Sequence, residues 1–475
     1  MEFEATIGLE VHCQLGTNTK LFCGCTTLFA QEPNSQTCPV CLGHPGTLPV
    51  LNKKVFEYAV KAGLAIGCDI QKFSKFDRKN YYYPDLPKAY QITQFDKPFA
   101  LKGGIEINIK GNKRVVKLER IQIEEDAGKL IHTADGSLVD LNRAGTPLIE
   151  IVSDPDMSTS EEAYQYLVNL KKILKYNEVS DCEMQEGSLR CDANISVKPI
   201  GQKELGTKVE VKNLNSFRYV QAAIDYEIVR QIQDIQNGNK ISQETRLWDV
   251  DNGVTEPMRS KEGAHDYRFF PEPDLPPLIL TDKEIEKIKS TVAEPPLKRK
   301  ERFISELKLS EYDASILTEE KPIADYFENA LKEFNKPKEI ANWISNDISS
   351  YLNEKKIGID QFPVSIENMT SLWKLIDDGT INKKIAKEKV FPLLVESNKN
   401  PSEIIESEGL AGKNDSDEIR KWVEEAMAKN QKAVDDLKNG KDKAKGSIVG
   451  MVMKASKGLA NPQIVNKIID DIINS

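Results

Sequence analysis

No stretch of this sequence stays apolar for anything near the roughly 20 residues that a membrane-crossing helix requires. Charged residues make up 29% of the chain and hydrophobic ones 39%, so the composition predicts no membrane span. The opening residues, MEFEATIGLE, have neither the basic start nor the apolar core of an export signal. That predicts a cytoplasmic location, where the eight cysteines serve as thiols or metal ligands rather than disulfides. An excess of positive charge is missing too. With 65 Lys and Arg against 74 Asp and Glu the net charge is −9, which argues against nonspecific coating of nucleic acid but leaves room for a local basic patch. Internal repeats and low-complexity tracts are absent, as are a G-x-x-x-x-G-K-[ST] loop and a kinase-type glycine-rich loop. A bound nucleotide would have to be held in some other way.

What is present divides into parts. A length of 475 residues predicts about three domains. Residues 1–292 are rich in short alternating runs broken by Gly and Pro, the pattern of an antiparallel sheet with inserted helices. Two helices are expected there. One starts at a capping-box spacing from Ser158 to Glu161 and carries Ala163, Leu167, Leu170 and Leu174; the other carries Val220, Ile224, Ile228 and Ile232. The proline-laden segment Phe269–Pro277 predicts extended chain. Helical spacing with many Lys and Glu then predicts a helical domain over 293–405 and a smaller helical tail over 406–475. The expected class is α+β.

Cys23-Gly-Cys25 and Cys38-Pro-Val-Cys41 form a C-x-C…C-x-x-C set that could present four thiolates to one structural Zn²⁺, or simply four small buried residues. Cys13, Cys68, Cys182 and Cys191 lie in apolar contexts and are expected in the core. Alternation places Glu10 and His12 on one face of a strand whose other face carries Ile7, Leu9, Val11 and Cys13. In the same way Gln122 and Glu124 oppose Ile121 and Ile123, with Glu125 and Asp126 following, and Arg190, Asp192 and Asn194 oppose Leu189, Cys191 and Ile195. Glu150 stands alone in the apolar run 148–152, where an unpartnered carboxylate would cost several kcal/mol. Each such strand alone would suit a solvated face. Together their acids and imidazole suit a hard divalent cation such as Mg²⁺, which commonly serves a nucleotide phosphate. Lys75 to Gln91 packs Lys75, Arg78, Lys79 and Lys88 among Tyr81, Tyr82, Tyr83 and Tyr90, a mixture fit for phosphates and bases or for an ordinary turn-rich surface. Between Leu437 and Gly458, six lysines face the single Asp442, as on a solvated basic helix or a nucleic-acid backbone site.

The segments Gly8–His12, Lys75–Tyr81, Tyr83–Gln91, Glu124–Lys129, Asp140–Glu150, Glu186–Asn194 and Asp266–Asp274, with Lys454–Gly458 and Asn461-Pro462 near the end, together resemble the GatB family, the B-subunits of bacterial aspartyl/glutamyl-tRNA amidotransferases. The resemblance implies an antiparallel-sheet cradle, a helical domain and a tail similar to the small YqeY proteins. It implies that ATP activates the side-chain carboxylate of Glu-tRNA(Gln) or Asp-tRNA(Asn) as an acyl phosphate, which ammonia converts to the amide. Glu10, His12, Glu124, Glu125, Glu150 and Asp192 are then expected to hold Mg²⁺. Lys79, Asn80, Tyr82, Lys88 and Arg190 are expected at phosphate, ester or adenine, and Lys441, Lys443, Lys445, Lys454 and Lys457 at the tRNA backbone. Because the chain shows no glutaminase nucleophile, the resemblance supplies ammonia from a separate amidase, the A-subunit, clasped by a small C-subunit in a heterotrimer. Zinc is expected as scaffolding, since some members of the family lack the cysteines. A noncatalytic tRNA-binding or assembly subunit is the rival expectation, and a self-contained amidase is disfavoured.

Overall fold

The computed structural model describes every residue except Met1, 259–265, 398, 411–415, 439–441, 457, 459, 461 and 475. The described residues form two compact units, 1–296 and 297–475. The first is a ten-stranded sheet with helices; the second is helical, so the chain is α+β.

The centre of the sheet is the long strand Phe3–Gln14, whose alternate residues Ile7, Leu9, Val11 and Cys13 are buried while Glu10 and His12 are half-buried. It pairs antiparallel with Pro147–Ser153 on one side and Leu189–Pro199 on the other. Beyond Pro147–Ser153 lies Asn112–Glu125, joined to Gly104–Ile109 by a two-residue turn. That turn needs positive φ at both Lys110 (51°) and Gly111 (89°), the conformation whose twist matches a hairpin. Beyond Leu189–Pro199 lie Val209–Leu214, Glu244–Asp249 and Val254–Pro257. The pairing of Val209–Leu214 with Glu244–Asp249 is parallel, so the sheet is mixed rather than wholly antiparallel. The helix Phe217–Gln236 supplies the long crossover that a parallel pair requires.

Both expected helices form, with one shift. The first spans Ser160–Tyr176 and is capped by Thr159, not Ser158: Thr159 Oγ1 accepts from the Glu162 N–H, while the Glu162 carboxylate accepts from the Ser158 N–H. Ala163, Leu167, Leu170 and Leu174 are fully buried, as their shared helical face requires. A third helix, Lys53–Ile66, was not singled out by its sequence. It is capped by Asn52 and packs Val55, Ala59, Val60 and Ala62 into the same core. The segment after residue 266 runs extended, and Phe270–Pro271 pairs with Asp77–Arg78. Arg78 Nε and Nη2 donate to the two oxygens of buried Glu272 at 2.7 and 2.8 Å, fastening this strap to the sheet domain.

The second unit contains two separate apolar cores. One includes Phe303, Phe327, Trp343, Ile344, Trp373 and Leu394; the other includes Ile419, Val423, Ile448, Val452, Val465 and Ile469. In the first, the helix backbone widens into π-helical turns at Trp343–Ile348 and Ala386–Val390, where Lys387 pairs with Asp347 and lies over the Trp343 ring. No described helix is long and apolar enough to cross a membrane.

Candidate active site and metal centre

Sheet register builds the acid cluster. His12 lies directly across from Glu150 on one neighbour and from Arg190 on the other, and Glu150 in turn lies across from Gln122. Because directly paired residues share a face, Arg190, His12, Glu150 and Gln122 form a row running across four strands. Glu124 is two residues beyond Gln122 on the same face. Its Oε1 lies 3.3 Å from His12 Nε2. One ligand atom each from His12, Glu124 and Glu150 lie within 4.8 Å of one another, a donor set suited to a hard cation. Polar neighbours fix the carboxylates. Gln122 Nε2 donates to Glu150 Oε2 at 2.7 Å, and Thr93 Oγ1 donates to Glu124 Oε2 at 3.3 Å. Glu10 and Asp192 form the next cross-strand pair on this face. Asn194 Nδ2 donates to Glu10 Oε1 at 2.9 Å, and Lys212 Nζ lies 2.8 Å from Asp192 Oδ2.

The electrostatics follow from burial and proximity. Burial alone would lower the His12 pKa, but the hydrogen bond and charge of Glu124, with Glu150 behind it, raise it to about 9. Burial likewise opposes ionisation of Glu124, yet His12 and Lys79 bring its carboxyl down to about 2. Glu150, pressed by burial and by the charge of Glu124, rises to about 7. The cluster thus takes up protons where a divalent ion would otherwise supply positive charge.

The remaining expected site residues divide. Glu125 leaves the opposite side of its strand, where it pairs with Lys88 and accepts the Ile92 N–H at 2.9 Å, so it does not join the His12 group. Lys88 and Glu125 instead line a cavity of about 130 Å³ that also includes Phe22, Cys41 and Tyr90. Arg190 Nη2 donates to Asp126 Oδ2 at 2.6 Å. Lys79 lies 4.9 Å from the centre of the Tyr267 ring, on the strand Asp77–Asn80. Asn80 Nδ2 donates to the Arg268 and Tyr267 carbonyls at 2.8 and 3.2 Å and so fastens the strap. Tyr82 is 83% exposed. Among the tail lysines, Lys443 and Lys454 are exposed and Lys445 pairs with Asp470 at 2.5 Å; Lys441 and Lys457 lie outside the described residues.

The cysteines converge independently. The Sγ atoms of Cys23, Cys25, Cys38 and Cys41 all lie within 4.8 Å of one another, which accommodates the S···S separation of about 3.8 Å that tetrahedral Zn–S bonds produce. The hydrogen bond from Cys23 pushes the Cys41 thiol towards its thiolate, and the Cys38 N–H supports it at 3.2 Å. The loop is tied to the sheet domain through Gly145. This residue has φ +83°, accepts the Leu21 N–H at 2.9 Å and donates to the Asp126 carbonyl at 2.9 Å. Cys13, Cys68, Cys182 and Cys191 are all buried.

With this geometry in hand, comparison with known proteins is decisive. Residues 5–286 match the family model described as the GatB/GatE catalytic domain, and residues 325–473 match the GatB domain. The chain is 57% identical over 472 residues to the aspartyl/glutamyl-tRNA(Asn/Gln) amidotransferase B-subunit of a Thermoanaerobacter species, covering 99% of both chains. It is 52% identical to the protein of that name from Carboxydothermus hydrogenoformans, covering 99% of this chain and 98% of the other. For that of Clostridium tetani the identity is 51%, with 100% and 99% covered. The chain belongs to the amidotransferase B-subunit family.

As a member of that family it is one subunit of a glutamine-dependent amidotransferase. Some of its site residues escaped reading from the sequence. Gln122 could be placed on the acid face by alternation but not assigned to Glu150. Lys212 was not singled out by itself, because its partner Asp192 lies 20 residues away in the chain. Thr93 and Lys20 carried no local signal, because their partners Glu124 and Cys41 are distant in the chain.

Proposed function

We propose that this protein activates the side-chain carboxylate of Glu-tRNA(Gln) or Asp-tRNA(Asn) with ATP and completes its conversion to the amide. The observation that carries this is the convergence of His12, Glu124 and Glu150 in a chain of this family. Magnesium bound there would neutralise phosphate charge. Glu124 and Glu150 would hold the ion, with His12 contributing Nε2 after losing its proton, while Gln122 and Thr93 keep the carboxylates aimed. Lys79 provides a cation beside the cluster, where an oxygen of the transferred phosphoryl group would be drawn. The substrate carboxylate oxygen attacks the γ-phosphorus and ADP leaves; ammonia then attacks the acyl carbon and phosphate leaves. Glu10 and Asp192, next to the first group, would support a further cation. Ammonia would come from the amidase partner, the A-subunit, with the small C-subunit completing the assembly in the cytoplasm.

The tail around Ile419, Val452 and Ile469, read as a domain over 406–475, would meet the tRNA backbone through Lys443 and Lys454, while 293–405 is read as a separate helical domain and 1–292 as the catalytic cradle. The cysteine quartet would hold structural zinc. The test is the reconstituted complex with Glu-tRNA(Gln), glutamine and Mg²⁺. Glu150→Ala is expected to abolish ATP consumption and amide formation while tRNA still binds. Wild-type rates from this variant would refute the catalytic reading in favour of a noncatalytic tRNA-binding role.

A further inference from the structure

Lys20 is a fully buried cation whose charge the acid cluster does not use. Its side chain has no exposed surface. The ammonium donates to the Gln36 carbonyl at 2.8 Å, to the Leu141 carbonyl at 3.5 Å and to Cys41 Sγ at 3.7 Å. Two of these acceptors are neutral. The third becomes anionic when the quartet binds a metal. Burying an ammonium without an opposite charge is costly, and no carboxylate pairs with Lys20 in any ion pair found among the described residues. Conversely, four thiolates around one Zn²⁺ leave a net charge of −2, and it is at Cys41, the buried member of the quartet, that the ammonium meets it. Each group answers the other's deficit.

We propose that Lys20 is the built-in counter-cation of the cysteine centre: its ammonium, hydrogen bonded to Cys41 Sγ, offsets the tetrathiolate charge and holds the metal against release. It is a positioning residue acting through Cys41, and it also joins the metal loop to the 141 segment through the Leu141 carbonyl. This rests on the reading that the quartet binds zinc.

The test uses the full-length chain in its purified complex, with Lys20→Met and Lys20→Arg variants. Zinc affinity is measured by competition with a chromophoric chelator, and the cobalt(II)-substituted protein is examined for its sulfur-to-metal absorption. Loss of an outer-sphere partner typically weakens metal binding about 10- to 100-fold, and that is the effect expected for Lys20→Met. Its cobalt charge-transfer band should also move to lower energy, because the thiolate loses a stabilising positive charge. Lys20→Arg, which keeps the charge, should retain more of the affinity than Lys20→Met. Unchanged zinc affinity and an unmoved band in Lys20→Met would overturn the proposal, as would variants that stay insoluble in saturating zinc, since the ammonium would then serve the fold and not the metal. A wild-type chain that binds no zinc would instead overturn the zinc reading itself.

Discussion

The two converging side-chain groups of the first unit are built by opposite means. The cysteine centre is drawn from one continuous stretch, Cys23–Cys41, while the acid group takes His12, Glu124 and Glu150 from three separate strands. In the first, little chain needs to be closed and the ligand spacing itself brings the sulfurs near one another. In the second, no ligand is near another in sequence, and only strand register aligns them. Local sites are therefore specified by motif and non-local ones by the fold. The two should fail differently when damaged.

The sharpest way to expose that difference is to remove a ligand from each. Glu124→Gln keeps the shape of the side chain but removes its charge, and is expected to lower transamidation by about 10³-fold with zinc content unchanged. A rate within tenfold of wild type, or a loss of zinc, would break the separation. The paired replacement Cys38→Ser with Cys41→Ser should abolish zinc binding and lower the thermal transition by about 5 °C. The chain should still bind tRNA, as a filter-binding titration would show. A larger collapse would mean that the sheet domain depends on the loop. The smallest effect belongs to Thr93→Val, which deletes one hydroxyl that reaches Glu124 without altering the size of the side chain. A net hydrogen bond is worth about 1 kcal/mol, so kcat should fall about fivefold with KM for tRNA little changed.

The same contrast explains what the sequence made legible. The cysteine spacing could be read directly, as could the two faces of the Phe3–Gln14 strand and the anomaly of Glu150 in an apolar run. Strand pairing could not: His12, Glu124 and Glu125 were all expected at one cation, but neither the direct contact of Glu124 with His12 nor the departure of Glu125 to Lys88 could be read. Alternation does separate Glu124 from Glu125, but it could not say that the second would be taken up elsewhere. The cap at Thr159 rather than Ser158 was a choice between two good candidates one residue apart, which local sequence does not resolve. The parallel pair came from the crossover helix, whose course no local pattern records.

One consequence follows from where Glu150 sits. Its neighbours Ile149 and Ile151 are buried on the opposite face of the strand, so sliding that strand by a single residue would drive the carboxylate inward and bring isoleucines out to the reaction face. Such a slip forfeits apolar burial and strands a charge together. Misthreaded molecules are consequently purged by their own instability, and a preparation should contain fully competent copies and unfolded ones, with no reservoir of nearly correct, sluggish enzyme between them.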